Sequence, residues 1–114
     1  MKQIISDKDK EEQRLKALAE YRILGTEPES CYDDVTQIAA VTCNVPISLM
    51  TLVDKDRQWF KSKIGLEINE TKRDWSFCTH AIKEDSPLII TDALQDKRFI
   101  NNPLVTGDPK IRFY

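Results

Sequence analysis

The stretch Ile47-Ser48-Leu49-Met50-Thr51-Leu52-Val53-Asp54-Lys55-Asp56-Arg57-Gln58-Trp59-Phe60-Lys61-Ser62-Lys63-Ile64-Gly65 decides the fold. Its first seven residues place apolar side chains on both alternating faces, which predicts a strand covered on both sides. Asp54-Lys55-Asp56 is a tight polar turn. Gln58 to Ile64 returns as a second strand and stops at Gly65. Its mixture of apolar and charged positions predicts a place nearer the sheet edge. The two strands form an antiparallel hairpin.

Two helices are expected before this hairpin. Residues 1–9 are a mobile start. Asp9 followed by Glu12 has the form of a capping box. Leu15, Leu18, Ala19 and Ile23 recur at helical spacing, opposite Lys10, Glu11, Arg14, Lys16 and Glu20. The pattern predicts an amphipathic helix over 10–24, ended by Gly25. Thr26-Glu27-Pro28-Glu29 turns into a second helix, with Tyr32, Val35, Ile38, Ala39 and Thr42 on one face and Asn44 and Pro46 at its end. Cys31 and Cys43 belong to this helix, where a thiol behaves as a small hydrophobe.

Beyond the hairpin the pattern is more broken. Residues 66–75 read as a polar loop. Ser76 is placed as the N-cap of a short helix in which Phe77, Ala81 and His80 share a face. Asp85-Ser86-Pro87 breaks it. Leu88-Ile89-Ile90 is expected as a third short strand, and Asp92 as the cap of a helical turn running to Phe99. Asn101-Asn102-Pro103 and Thr106-Gly107-Asp108-Pro109 punctuate a loop, and Lys110 to Tyr114 begins another strand. No internal repeat or linker divides residues 1–114, so a single domain is expected.

Composition narrows the function. Of the 114 residues, 40% are hydrophobic and 32% charged, with a net charge of −2. That balance gives no general pull toward nucleic acid or an anionic membrane. No apolar run reaches the ~18 residues of a membrane span, and the first residues lack the apolar centre of a signal peptide, so a cytoplasmic address is expected. Arg57, Lys61, Lys63, Lys72 and Arg73 cluster in sequence, and a solvated surface accounts for them better than phosphate binding.

The reactive side chains are few. Cys31, Cys43 and Cys78 are odd in number and form no CxxC, and His80 is the one histidine. Zinc-ligand spacing is absent, and no GxSxG, GxGxxG, Walker loop or HExxH occurs. The carboxylate pairs Asp33-Asp34, Glu84-Asp85 and Asp54 with Asp56 fit solvated surfaces. A helix start favours thiol chemistry, which makes the place of Cys78 permissive. His80 follows by two positions, roughly 200° around a helix, and is poorly placed as its base. No catalytic residue, metal or cofactor is expected.

The order of elements and several stretches resemble the GAF domains of bacterial signalling proteins, especially sensor histidine kinases and diguanylate cyclases. The matching stretches are Arg14 to Leu18 with Tyr21 to Thr26, Val45 to Asp54, Asp56 to Ser62, Ser76 to Ile82, and Asp96 to Phe99 with Asn102 to Gly107 and Ile111 to Tyr114. The resemblance implies an α/β (α+β) fold, an antiparallel sheet flanked by helices on both faces. It implies a small-molecule pocket built from residues 66–83 and 92–109, near Phe77, Cys78 and His80, with Trp59 as a further ligand-binding candidate. The family continues with further strands and a closing helix, so the chain reads as a C-terminally incomplete domain, expected to form a homodimer or a strand-exchanged oligomer. The phytochrome branch attaches a bilin to a cysteine beside a histidine; here Thr79 intervenes, and no chromophore is expected. The implied role is a small-molecule-sensing or dimerisation domain without catalysis. The alternative is a thiol enzyme of the same fold, such as a free methionine sulfoxide reductase.

Overall fold

The computed structural model describes residues 6–114. Helix α1 spans Asp7–Tyr21, α2 Ser30–Cys43, and the hairpin comprises β1, Ser48–Val53, and β2, Arg57–Ile64. A short strand β3, Glu70–Lys72, leads into a 3-10 turn, Arg73–Trp75. Two four-residue helices follow, α3 at Cys78–Ala81 and α4 at Pro103–Thr106, with a 3-10 turn at Ala93–Gln95 between them. The chain is mixed α+β, as expected.

The first helix differs from its expected bounds. Ser6, not Asp9, caps it, its Oγ accepting the Asp9 N–H at 3.1 Å. Residues 7–9 are thus helical, and the rest of the expected mobile start, 1–5, lies outside the described residues. The helix ends before Gly25 because Arg22 already adopts the left-handed conformation and turns its N–H back to the Ala19 carbonyl. None of its 15 residues is buried.

Helix α2 turns a different face to the sheet from the one its apolar spacing suggests. Thr36 and Ala40 are buried, whereas Val35, Ile38 and Val41 are 53%, 65% and 68% exposed. Hydrogen bonding decides the orientation. The Thr36 hydroxyl donates to Ser62 on β2 at 2.7 Å, and the Ser62 hydroxyl donates on to Asp33 at 2.6 Å. Small side chains at 36 and 40 let helix and sheet approach closely.

The hairpin forms as expected, but the strand roles are exchanged. The sheet order is β1-β2-β3, so β2 is central and β1 is an edge of this sheet. The supposed polar loop supplies the third strand: Arg57, Gln58 and Trp59 pair with Lys72, Thr71 and Glu70. The charged positions of β2 are compatible with its centre because one of them is a bulge. Met50 pairs with Ser62 and Thr51 with Phe60, leaving Lys61 opposite no residue. A bulge turns the extra side chain out of the normal alternation. Lys61 is carried toward the connector between α1 and α2, where its Nζ donates to Thr26 Oγ1 at 2.7 Å and to the Glu27 carbonyl at 2.6 Å. It also pairs with Glu29 at 2.7 Å and lies 5.5 Å from the centre of the Tyr32 ring. This lysine, read from sequence as surface charge, has a fully buried side chain. Gly65 closes β2 at φ +86°, with a Cβ there falling 2.1 Å from the Pro46 carbonyl oxygen, so only glycine fits.

The two expected strands 88–90 and 110–114 are not regular strands. They meet at one point, where Ile90 and Tyr114 exchange both backbone hydrogen bonds, at 2.7 and 2.9 Å. Between them the chain is held by local caps. Asp92 accepts the Leu94 N–H, Asp96 that of Arg98, and Asn102 that of Leu104. The last cap, with Pro103 in the first helical position, starts α4 inside the expected loop.

Candidate functional site

The segments expected to build a pocket converge on one apolar cluster. Phe77, Ile90, Ala93, Phe99 and Val105 are buried, with Leu88, Ile111 and Tyr114 packed around them. Phe77 stacks on Phe99 with ring centres 4.1 Å apart and planes 17° apart. Tyr114 tilts against Phe77 at 5.1 Å, and His80 meets Phe99 edge-on at 5.0 Å. Ser76 sets these positions: its Oγ accepts the Thr79 N–H at 3.2 Å, the capping role its place in the sequence predicts.

Cys78 and His80 sit at the rim of this cluster and diverge. The Cys78 sulfur shares a hydrogen bond with the Tyr114 hydroxyl at 3.1 Å and accepts one from Thr51 at 3.4 Å. His80 packs against Phe99 instead. Burial, then the nearby positive charges of Arg98 and Lys83, hold its pKa below the ordinary 6.5 and favour the neutral ring. Burial, with Cys78 alongside, raises the pKa of the Tyr114 phenol. Asp96, held down to about 2 by its pairing with Arg98, adds charge at the same rim.

Trp59 does not join this group. Met50 faces α2 through its partner Ser62, so the next residue, Thr51, faces the opposite side, where it bonds Cys78. Thr51 pairs with Phe60, and Trp59, one residue earlier in β2, therefore points away from α3. Trp59 is buried on the helical side. Phe99 and Tyr114 are the members that residue-by-residue reading missed. The Asp96 cap three residues before Phe99 was the available signal.

A separate concavity of about 340 Å³ lies between Asp56, Arg57, Glu70, Thr71, Lys72 and Trp75. Its charges are largely paired within the protein. Arg57 contacts Asp54 at 3.2 Å and Glu70 at 3.7 Å, and the Lys72 ammonium lies 5.2 Å above the Trp75 ring. The basic residues that cluster in sequence are thus engaged separately: Lys63 bonds the Glu67 and Ile68 carbonyls, and Arg73 pairs with Glu11.

Fold and site together describe a small α+β module whose irregular segments enclose an aromatic cluster with a thiol, an imidazole and a phenol at its edge. Among the described residues, no three His, Cys, Asp or Glu side chains gather as a metal-binding group. Among the same residues, no helix is long and apolar enough to cross a membrane. No family model matches the chain. Over 86 residues the sequence is 40% identical to cyclic di-GMP phosphodiesterase PA2567 of Pseudomonas aeruginosa, a stretch that is 75% of this chain and 15% of that protein.

Proposed function

We propose that this chain is a GAF-type regulatory module of a bacterial signalling protein, binding a small molecule at the aromatic cluster. The observation that carries the reading is the convergence of 76–82, 88–105 and 111–114 on Phe77 and Phe99, with Cys78, His80 and Tyr114 half-exposed beside them. Flat apolar surface with a few polar groups at its edge is the usual composition of a small-ligand site. The similarity to a small share of a cyclic di-GMP phosphodiesterase supports a place in cyclic-di-GMP signalling. The chain's role there is regulation, without turnover of its own. It acts in a dimer, with the apolar stripe Val35, Ile38 and Val41 and the edge of β1 as the meeting surfaces.

A metabolite library screened by thermal shift, with the hits repeated on His80→Ala and Phe77→Leu, tests the ligand role. The expected result is stabilisation by at least one compound, weakened in both variants. A blank library combined with hydrolysis of cyclic di-GMP by the chain itself would replace this reading with an enzymatic one. Light scattering tests the dimer: a monomer throughout the micromolar range would remove that part.

A further inference from the structure

Helix α1 is held to the rest of the molecule mainly by charge. It buries no residue, and Leu15 and Leu18 are only half-covered. Its polar anchors are Glu11 and Arg14. Glu11 accepts two hydrogen bonds from the Arg14 guanidinium, at 2.9 and 2.7 Å, and one from Arg73 at 2.5 Å. Arg14 also donates to the Val53 carbonyl at the end of β1. The two guanidinium groups bring Glu11 down to about 2 from the ordinary 4.5. Such partly exposed pairs contribute little net stability, so this helix is held in place weakly.

Arg73 also holds the candidate site. Its carbonyl accepts the Thr79 hydroxyl of α3 at 2.9 Å and the Ser76 N–H at 3.0 Å. Its N–H donates to the Asp56 carbonyl at 3.2 Å, and its guanidinium also reaches the Asp54 and Lys55 carbonyls at 3.2 and 3.1 Å. The next turn residue but one, Trp75, offers its carbonyl to the Asn102 side chain at 2.9 Å, tying in the cap of α4. Backbone on one side and side chain on the other, this one residue joins α3 to α1.

We infer that Arg73 is a mechanical joint: displacement of α3 at the aromatic cluster shifts the Arg73 turn, loosens the grip on Glu11 and frees α1. The role of α3 as the ligand-bearing element rests on the function proposed above; the joint itself does not. Both arms move together because the turn between Arg73 and Thr79 is closed by hydrogen bonds from the Ser76 N–H and the Thr79 hydroxyl to the Arg73 carbonyl and from the Thr79 N–H to the Ser76 hydroxyl. A weak hold on α1 suits such a device, since a ligand can move an equilibrium only by its difference in affinity between the two states.

Amide hydrogen exchange on the 114-residue chain, without ligand, tests the joint. Exchange across Asp7–Tyr21 is compared with that across Arg57–Ile64 as a reference for global folding. Arg73→Gln and Glu11→Gln should each accelerate exchange in α1 up to about fivefold and leave β2 unchanged. The double variant should add little to either single one, because both remove the same contact. Thr79→Val is the decisive variant, because Thr79 acts on α1 only through Arg73. An α1 acceleration of about threefold is expected, and an unchanged α1 overturns the joint. Should a variant lose β2 protection, salt on the unaltered chain decides. Raising NaCl to about 0.5 M should speed exchange in α1 selectively, and no change refutes the ionic hold. A blank metabolite screen with these results intact removes the ligand reading and leaves the joint standing.

Discussion

The two ends of the molecule invert the usual relation between regular structure and burial. Helices α1 and α2, with 15 and 14 residues, bury only Thr36 and Ala40 between them. Residues 76–114 hold just two four-residue helices and a 3-10 turn, yet supply the cluster of Phe77, Ile90, Ala93, Phe99 and Val105. The difference lies in how backbone groups are satisfied. A helix pairs its own amides and can lie on the surface. An irregular chain can be buried only if each amide and carbonyl finds a partner. Ser76, Asp92, Asp96 and Asn102 provide those partners one at a time. Side-chain caps thus do for the C-terminal part what periodic hydrogen bonding does for the helices.

Truncation in the cluster should have the largest effect. Phe99 is fully buried between Phe77 and His80, so Phe99→Ala should cost about 3–5 kcal/mol. Urea denaturation followed by near-ultraviolet dichroism would measure it; a cost under about 1 kcal/mol would mean the irregular part is not the principal core. Lys61→Ala comes next. It leaves the Glu27 carbonyl without its donor while Glu29, half-exposed, returns to water. A loss of about 1–3 kcal/mol is expected, with faster proteolysis confined to 22–29.

The third effect is set by pH. The folded state holds His80 below 6.5, so the unfolded chain binds the extra proton more readily. Its contribution is therefore complete above pH 6.5 and declines as the pH falls below that value. Denaturation midpoints should fall between pH 7 and 5, and His80→Phe should flatten that slope; an equal slope in the variant would assign it to other groups. The smallest change is expected on the helical side. Ile38→Asp replaces a side chain that is 65% exposed, and should alter the stability of the monomer by no more than about 0.5 kcal/mol. Under the dimer proposed above, its expected mark is a loss of that dimer in sedimentation. A large drop in monomer stability would show that α2 carries more of the fold than its exposure indicates.

How far the sequence revealed these features follows the same division. The hairpin was legible because Ile47 to Val53 is a short run with apolar residues on both faces and the turn is marked by three polar residues. The face of α2 was not: Val35 and Ile38 form the stronger apolar stripe, but Asp33 and Thr36 are the residues that bond Ser62. Lys61 reads as surface from its charge, since nothing in a linear pattern announces a bulge. At the site, Phe77, Cys78 and His80 came from the family resemblance, and the short turn capped by Ser76 keeps them adjacent. Tyr114 is brought to them by its distant pairing with Ile90, and Trp59 leaves the group through strand parity.

The unpaired position in β2 has a consequence for length variation. Removing one residue there would restore an unbroken ladder with β1, an apparent improvement by local criteria. It would also take the ammonium from beneath Thr26 and Glu27 and leave their oxygens without that donor. Shortening at this point and lengthening of the link between the first two helices are therefore coupled changes, so a chain with a perfectly regular second strand would need a different way to seat its leading helices.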